Sequence, residues 1–399
     1  MGWSKVNNVP ASIDTMLLLT DGSVIAHGNG TSNWYRLIPD KSGSYANGSW
    51  VATSPMLTDS NLTATMNGPN YEPLFFGSAV LQDGTLLVFG GEYNVKFCNG
   101  CAVDALEVQL YDPVTDSWTV LPTPTGWSNI GDPASAVLAD GRVLFGNPNN
   151  NAMAIFDPRT QAYFFTSAKN DNSSEETFTL LPTGDVLTAQ CSNGTDAELY
   201  TPSTDTWLQM GSTGVSLPES CPSQVSEIGP ALLLPNGTVF AIGASGNTAI
   251  YTPGAAGVAG TWSNGPTLVD THNNTLFPMD APGVLLTDGQ VLLIASPTPP
   301  CTYPGPTTFF LYDPATNKAT ITAGPSNNGG ACFTGRFLLL PSGEVLFSNQ
   351  SSTVSILPSV GGAQAAWAPT ITNCPDSLIL GHTYQIFGTQ FNGLSQACS

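Results

Sequence analysis

Residues 227–243, EIGPALLLPNGTVFAIG, contain the pattern that decides the fold. Two short apolar runs flank Asn236-Gly237, and an acidic residue, Glu227, precedes the first run. Asn-Gly between two apolar runs is typical of the tight turn of a β-hairpin, because glycine adopts the positive φ that the turn needs. The stretch therefore predicts an antiparallel pair of strands with a carboxylate at its leading edge.

The same hairpin pattern recurs seven times along the chain. Its turn glycines are Gly22, Gly84, Gly141, Gly184, Gly237, Gly289 and Gly343. A second pattern follows most hairpins: a strand ends in an aromatic residue, a proline turn follows, and a strand carrying Trp returns, as in LYDPVTDSW at 110–118. Each repeat of about 40 to 60 residues predicts four strands, and seven such repeats predict an all-β, seven-bladed β-propeller.

These repeats resemble those of kelch-type propellers of the galactose oxidase/kelch superfamily. The resemblance rests on the hairpin, its glycine and the YDPxTxxW pattern over residues 14–369, although the kelch diglycine stands only at Gly90-Gly91. We expect residues 1–369 to form the propeller, with the strand around Trp3 closing the last blade. Residues 370–399 resemble the opening strands of an Ig-like domain, and we expect a short stub or clasp there.

Charge limits the partners of this protein. The 399 residues include 29 acidic and 9 basic side chains, a net charge of -20. Such a chain repels phosphate backbones and anionic lipid, which argues against nucleic-acid binding, and no segment is long and apolar enough to span a bilayer. Cations, neutral glycans and basic proteins remain as partners.

Cysteines and sequons indicate an exported, extracellular protein, although the first apolar run, MLLL, is too short for a signal peptide. Eight cysteines allow four disulfides, and the blade topology predicts Cys191–Cys221 and Cys301–Cys332. Cys374 and Cys398 bracket the C-terminal segment and give a third predicted pair, and Cys98–Cys101 remains as a small disulfide loop. For Cys98 and Cys101, a redox or zinc half-site is the alternative. Candidate glycosylation sites are Asn29, Asn47, Asn61, Asn172, Asn193, Asn236, Asn273 and Asn349.

A charged residue stands seven to twelve positions before each turn glycine. These residues are Asp14, Glu72, Asp132, Glu175 or Glu176, Glu227, Asp280 and, in blade seven, Arg336. They begin the innermost strands, so we expect them to ring one mouth of the central channel. Such carboxylates could cap the backbone of a neighbouring blade, bind a cation such as Ca²⁺ through Asp14, Asp132, Glu227 and Asp280, or supply a catalytic pair.

Aromatic residues gather in the loops that the topology places at the same mouth. They are Tyr71, Tyr93, Trp127, Phe277, Tyr303 and Phe333. Aromatic rings stack on sugars while polar groups bind the hydroxyls, although such rings also fill gaps between blades. The candidate binding residues are therefore Glu72, Tyr93, Trp127, Asp132, Glu227, Asp280, Tyr303 and Arg336.

The copper-radical oxidase activity known in this superfamily does not fit the sequence. The chain has three histidines, His27, His272 and His382, and none stands in a Tyr-His pair. We expect no cofactor beyond a Ca²⁺ ion. Two hypotheses remain: a secreted, non-catalytic module that binds a glycan or protein or belongs to an extracellular assembly, and a carbohydrate-active enzyme that uses the channel-mouth carboxylates.

Overall fold

The structure is a computed structural model. It describes residues 2–57, 71–94, 104–191, 194–219, 228–297, 302–362, 365–367, 369–379, 382 and 384–389. The described strands form seven four-stranded antiparallel sheets arranged as the blades of a propeller, together with one separate two-stranded sheet. This architecture confirms the predicted fold.

Strands β2 to β17 build the first four blades, each with its innermost strand first in the chain. Blade one contains Ile13–Leu18, Val24–Gly28, Trp34–Ile38 and Ser49–Ala52 (β2–β5), and blade two contains Gly77–Val80, Leu86–Phe89, Val108–Asp112 and Ser117–Val120 (β6–β9). Blade three contains Ser135–Val137, Val143–Gly146, Met153–Asp157 and Ala162–Phe165 (β10–β13), and blade four contains Thr179–Leu180, Val186–Ala189, Asp196–Thr201 and Thr206–Ser212 (β14–β17).

The remaining strands complete the ring and the C-terminal sheet. Blade five contains Ala231–Leu233, Val239–Ile242, Thr248–Thr252 and Thr261–Asn264 (β18–β21), and blade six contains Gly283–Leu285, Val291–Ala295, Thr308–Asp313 and Lys318–Thr322 (β22–β25). Blade seven contains Arg336–Leu339, Val345–Ser348 and Ser355–Leu357 (β26–β28) with the N-terminal Ser4–Lys5 (β1) as its outer strand. Thr370–Asn373 (β29) pairs with Phe387–Thr389 (β30), and two short 3-10 helices cover Cys332–Thr334 and Ala365–Trp367.

The apolar core is divided among the interfaces between neighbouring blades. Between blades one and two, for example, Ile25 and Trp34 pack against Phe76 and Leu86. Comparable clusters join every other neighbouring pair, including blades seven and one. Strands buried on both faces explain the near-continuous apolar runs in the sequence.

The turn glycines and the Trp-bearing motif have distinct structural roles. All seven turn glycines have φ between 80° and 88°, a region in which a side chain is strained. In blade four, the Trp207 indole donates a hydrogen bond to the Ser167 carbonyl of the preceding connection at 3.0 Å, and Asp205 accepts from the Ser167 N–H at 3.0 Å. Trp118 and Ser54 repeat this link two interfaces earlier, between blades one and two. The motif thus fastens one blade to the next.

Candidate functional site

The connections divide between two faces of the propeller. The glycine turns between the first and second strands lie on one face, which we call the turn face. The loops between the second and third strands, and the connections from one blade to the next, lie on the opposite loop face, because neighbouring strands are antiparallel. Each sequence-predicted binding residue that the structure describes belongs to a segment of the loop face.

Three carboxylates from neighbouring blades meet on the loop face. Glu92 follows the diglycine of blade two, Asp132 precedes β10 of blade three, and Glu175 precedes β14 of blade four. One ligand oxygen from each lies within 4.8 Å of the others, and all three side chains are half-buried. We call Glu92, Asp132 and Glu175 the acidic cluster. Oxygen ligands of this kind suit a hard cation or a proton-transfer pair.

Glu176 takes a different direction from its neighbour Glu175. Its carboxylate accepts bonds from the Lys169 ammonium at 2.7 and 2.5 Å, and from the hydroxyls of Ser173 and Thr188 at 2.9 Å each. Lys169 and Glu176 have no exposed side-chain surface. Glu198 lies 3.9 Å from the same ammonium, and burial raises its pKa. This buried network links the connection before blade four, which carries Lys169, to Thr188 of β15. Because Glu176 is held in this network, Glu175 is the member of the pair that faces the acidic cluster.

Asp14 and Arg336 form a buried ion pair between blades one and seven. The Arg336 guanidinium lies 3.6 Å from Asp14, which has no exposed surface, and also donates to the carbonyls of Phe333 and Gly335 at 2.7 Å. The guanidinium carbon lies 5.6 Å from the centroid of the Phe75 ring. Arg336 therefore neutralises one carboxylate of the predicted ring, and Asp14 lies with Arg336 rather than with Asp132.

Four aromatic rings run across the loop face from blade two through blade seven to blade six. Ring centroids are separated by 6.0 Å for Tyr93–Phe75, 6.1 Å for Phe75–Phe333 and 5.2 Å for Phe333–Tyr303. We call Tyr93, Phe75, Phe333 and Tyr303 the aromatic row. Tyr93 is 43% exposed and follows Glu92 directly, so the row meets the acidic cluster at blade two.

Backbone conformation sets the aromatic row apart from ordinary loop packing. Phe75, Tyr93 and Tyr303 have φ values of 52°, 50° and 46°. The left-handed region is unfavourable for bulky residues, and residues held there concentrate at functional sites. Asp280, another predicted binding residue, shares this conformation with φ 48°.

The other predicted residues occupy varied places. Trp127 packs against Phe145 and Phe165, with centroid distances of 5.5 and 6.4 Å, toward the outer strand of blade three. The Glu72 backbone N–H donates to the Asn94 side chain at 2.8 Å. Phe277 packs in a small loop cluster with Tyr303. Tyr71 is buried, and its hydroxyl donates to the Gly90 carbonyl at 2.5 Å.

Several predicted residues lie outside the described part of the chain. They are Glu227, Asn61, Asn193, Cys98, Cys101, Cys221, Cys301 and Cys398. Each predicted disulfide includes at least one of these cysteines, so the four pairings stay predictions. Of the described sequons, Asn47, Asn172, Asn236 and Asn273 are exposed, whereas Asn29 and Asn349 are partly buried.

The three histidines do not form a copper site. His27 is buried between Trp34 and Phe76, with both ring centroids at 5.0 Å, whereas the His272 side chain is 83% exposed in the connection between blades five and six. His382 lies beyond the propeller strands, near Tyr384. Within the described residues, the clustered metal-capable side chains are the acidic cluster, which contains no histidine. The residues present do not fit the copper centre expected of an oxidase.

Comparisons with known proteins agree on the fold. No protein-family model matches the chain. Human kelch-like protein 30 is 30% identical over 121 residues, which is 28% of this chain and 20% of the human protein. A fungal alcohol oxidase of the AA5 family, solved with copper, superposes with a TM-score of 0.62 at 14% identity, over 98% of this chain and 83% of the oxidase.

Two lyases share the architecture at lower similarity. A streptogramin B lyase superposes with a TM-score of 0.58 at 11% identity, over 89% of this chain and 96% of the lyase. Virginiamycin B lyase from Staphylococcus aureus gives 0.56 at 10% identity, over 90% of this chain and 99% of the lyase. At such identities the structural likeness shows the fold alone.

The repeats, the sheet topology and these comparisons together define the class of protein. The chain is a β-propeller of seven four-stranded blades. The similarity of part of the chain to human kelch-like protein 30 supports the kelch-type resemblance of the repeats, and the AA5 alcohol oxidase shares the fold. No helix among the described residues is long and apolar enough to cross a membrane.

Proposed function

We propose that this protein is a secreted, non-catalytic propeller that binds a neutral glycan on its loop face. The observation that carries the proposal is the aromatic row, whose exposed end, Tyr93, directly follows Glu92 of the acidic cluster in the chain. Tyr93 offers a ring face to the C–H groups of a pyranose, and the acidic cluster offers acceptors to its hydroxyls.

The net charge of -20 favours a neutral ligand over an anionic one. An acidic polysaccharide or nucleic acid would meet like charges at the mouth, where Arg336 is already paired with Asp14. Membership of an extracellular assembly or binding of a partner protein fits the same surface, since exposed aromatic residues are also common at protein interfaces.

Titration with neutral oligosaccharides tests the proposal. Ligand-observed NMR with wild-type protein identifies a binding sugar, and calorimetry then compares the Tyr93→Ala variant with wild type. We expect Tyr93→Ala to weaken binding by about tenfold or more, because it removes the exposed stacking surface. Val114→Ala is the control, since Val114 is 91% exposed in a turn on the opposite face of the same blade. Equal affinity in Tyr93→Ala, or no binding by wild type, would reject the proposal.

The acidic cluster favours a second candidate, a carbohydrate-active enzyme. Carboxylates held this close are the arrangement that acid–base hydrolysis or elimination uses. Hydrolase, lyase and oxidase screens of the bound sugar separate the two candidates. In an enzyme, Asp132→Asn abolishes turnover while leaving sugar binding largely intact. A calcium titration of the same variant tests whether the cluster instead holds Ca²⁺.

A further inference from the structure

The outer strand of blade three differs from every other outer strand of the propeller. In β13, Phe164 and Phe165 are each 50% exposed. In each blade the outer strand pairs with the third strand, and this register identifies the residue equivalent to Phe164. The equivalent residues in blades one, two, four, five and six are Val51, Thr119, Leu208, Ser263 and Thr320. Among the described outer strands, only β13 exposes aromatic side chains, so the repeat itself does not explain them.

The β13 strand is also an open edge. The sheet order of blade three ends at β13, so one row of its backbone N–H and C=O groups faces away from the sheet. Proteins usually protect such edges with charged side chains or proline. The nine residues 160–168, TQAYFFTSA, contain neither, although the chain as a whole carries a net charge of -20. The outer strand of blade six, by contrast, begins with Lys318.

The two phenylalanines cover both faces of this edge. Successive side chains of a strand point to opposite faces. Phe165 lies beside Trp127 with a centroid distance of 6.4 Å, and therefore extends the cluster between blades two and three outward. Phe164 lies on the other face, toward blade four. A strand added to this edge would cover both rings as well as the open backbone groups.

We propose that β13 pairs with β13 of a second copy of this chain. Antiparallel pairing about a two-fold axis at Phe164 sets residues 162–166 against themselves, and this segment brings no like charges into contact. Phenylalanine then faces phenylalanine across the new strand pair, which is a favourable cross-strand combination. A basic partner protein would find its complement on the acidic surface elsewhere rather than on this uncharged strand.

Light scattering coupled to size-exclusion chromatography tests the pairing on the full chain. We expect wild-type protein to change from monomer to dimer over about a hundredfold range of concentration at physiological salt, where the net charge is screened. Phe164→Lys should weaken dimerisation at least about tenfold, because it places like charges near the two-fold axis. Val51→Lys is the matched control, since Val51 holds the same repeat position in blade one and is 49% exposed.

Two further readouts keep the test decisive. If Phe164→Lys unfolds, Phe164→Ser replaces it, because Ser263 occupies that position in blade five. Hydrogen exchange should slow at residues 162–165 as dimer forms. A wild-type monomer at every concentration overturns the proposal, as does a dimer that Phe164→Lys leaves intact or that Val51→Lys dissociates equally. If Phe164→Lys still forms the dimer, the exposed C-terminal sheet, which includes Ile371 and Phe387, becomes the candidate interface.

Discussion

Asp205 adopts the positive φ of its turn and also accepts hydrogen bonds with its carboxylate. It has φ 52°, and its carboxylate accepts hydrogen bonds from the Tyr200 hydroxyl and the Ser167 N–H at 3.0 Å each. Replacing Asp205 with alanine removes these bonds and strains the turn, because alanine is unfavourable at positive φ. We predict that Asp205→Ala lowers the free energy of unfolding by about 2 kcal/mol in urea titrations.

Asp205→Asn is the control for that substitution. Asparagine tolerates the same backbone conformation, and Asn317 occupies the position in blade six, where it accepts from the Tyr312 hydroxyl at 3.2 Å. Asp205→Asn should therefore lose less than half as much stability as Asp205→Ala. Equal losses in the two variants would show that the charge, rather than the acceptor and the turn, matters.

The buried side chain of His27 makes the free energy of unfolding depend on pH. Burial lowers its pKa below the ordinary value of 6.5, although Asp14 and a bond to the Thr31 carbonyl oppose this shift. As pH falls below about 6.5, the unfolded chain takes up a proton that the folded protein does not, so stability present at pH 7 is lost. The loss is at most about 1.4 kcal/mol per pH unit until the folded pKa is reached.

Urea titrations at pH 7 and pH 5 measure this contribution. His27→Gln removes the titrating group while keeping a donor for the Thr31 carbonyl, so its difference between the two pH values should be smaller than that of wild type. His272→Gln, at an exposed position, should behave as wild type does. An unchanged pH difference in His27→Gln would assign the acid sensitivity to the carboxylates instead.

At the scale of the elements, the hairpins and the ring could be predicted because their signals are local and repeated. Each turn glycine adopts the positive φ that its pattern indicates, and the N-terminal strand completes blade seven as expected. A hairpin depends on a few adjacent residues, so seven copies give seven independent indications of one architecture.

The candidate site was less accessible to prediction because it is assembled from separate blades. Glu92 follows the second strand of its hairpin, whereas Asp132 and Glu175 precede the first strands of theirs, so one sequence spacing from the turn glycine does not select all three. Glu175 and Glu176 could not be separated, since only the Lys169 network decides which of them is turned inward. Trp127 was predicted as a ligand contact, and its packing against Phe145 and Phe165 depends on tertiary contacts that spacing does not reveal.

At the scale of the whole molecule, the two ends of the propeller chain meet in blade seven. The N-terminal segment reaches two interfaces at once: Trp3 packs in the cluster between blades six and seven, and Val6 in the cluster between blades seven and one. The Trp3 indole also donates to the Ala323 carbonyl at 2.9 Å. The ring therefore closes through two side chains that flank a strand only two residues long, Ser4–Lys5.

Trp3→Ala should consequently destabilise the propeller more than truncation of a tryptophan within one blade. We predict a loss of about 3 kcal/mol, because a large ring and its hydrogen bond are removed from the closing interface. Trp262→Ala is the comparison: Trp262 packs in the cluster between blades four and five, and its indole N–H has no hydrogen-bond partner among the described residues. Thermal unfolding of the two variants measures the difference. A smaller loss in Trp3→Ala than in Trp262→Ala would mean that contacts between the inner strands hold the ring closed without the N-terminal strand.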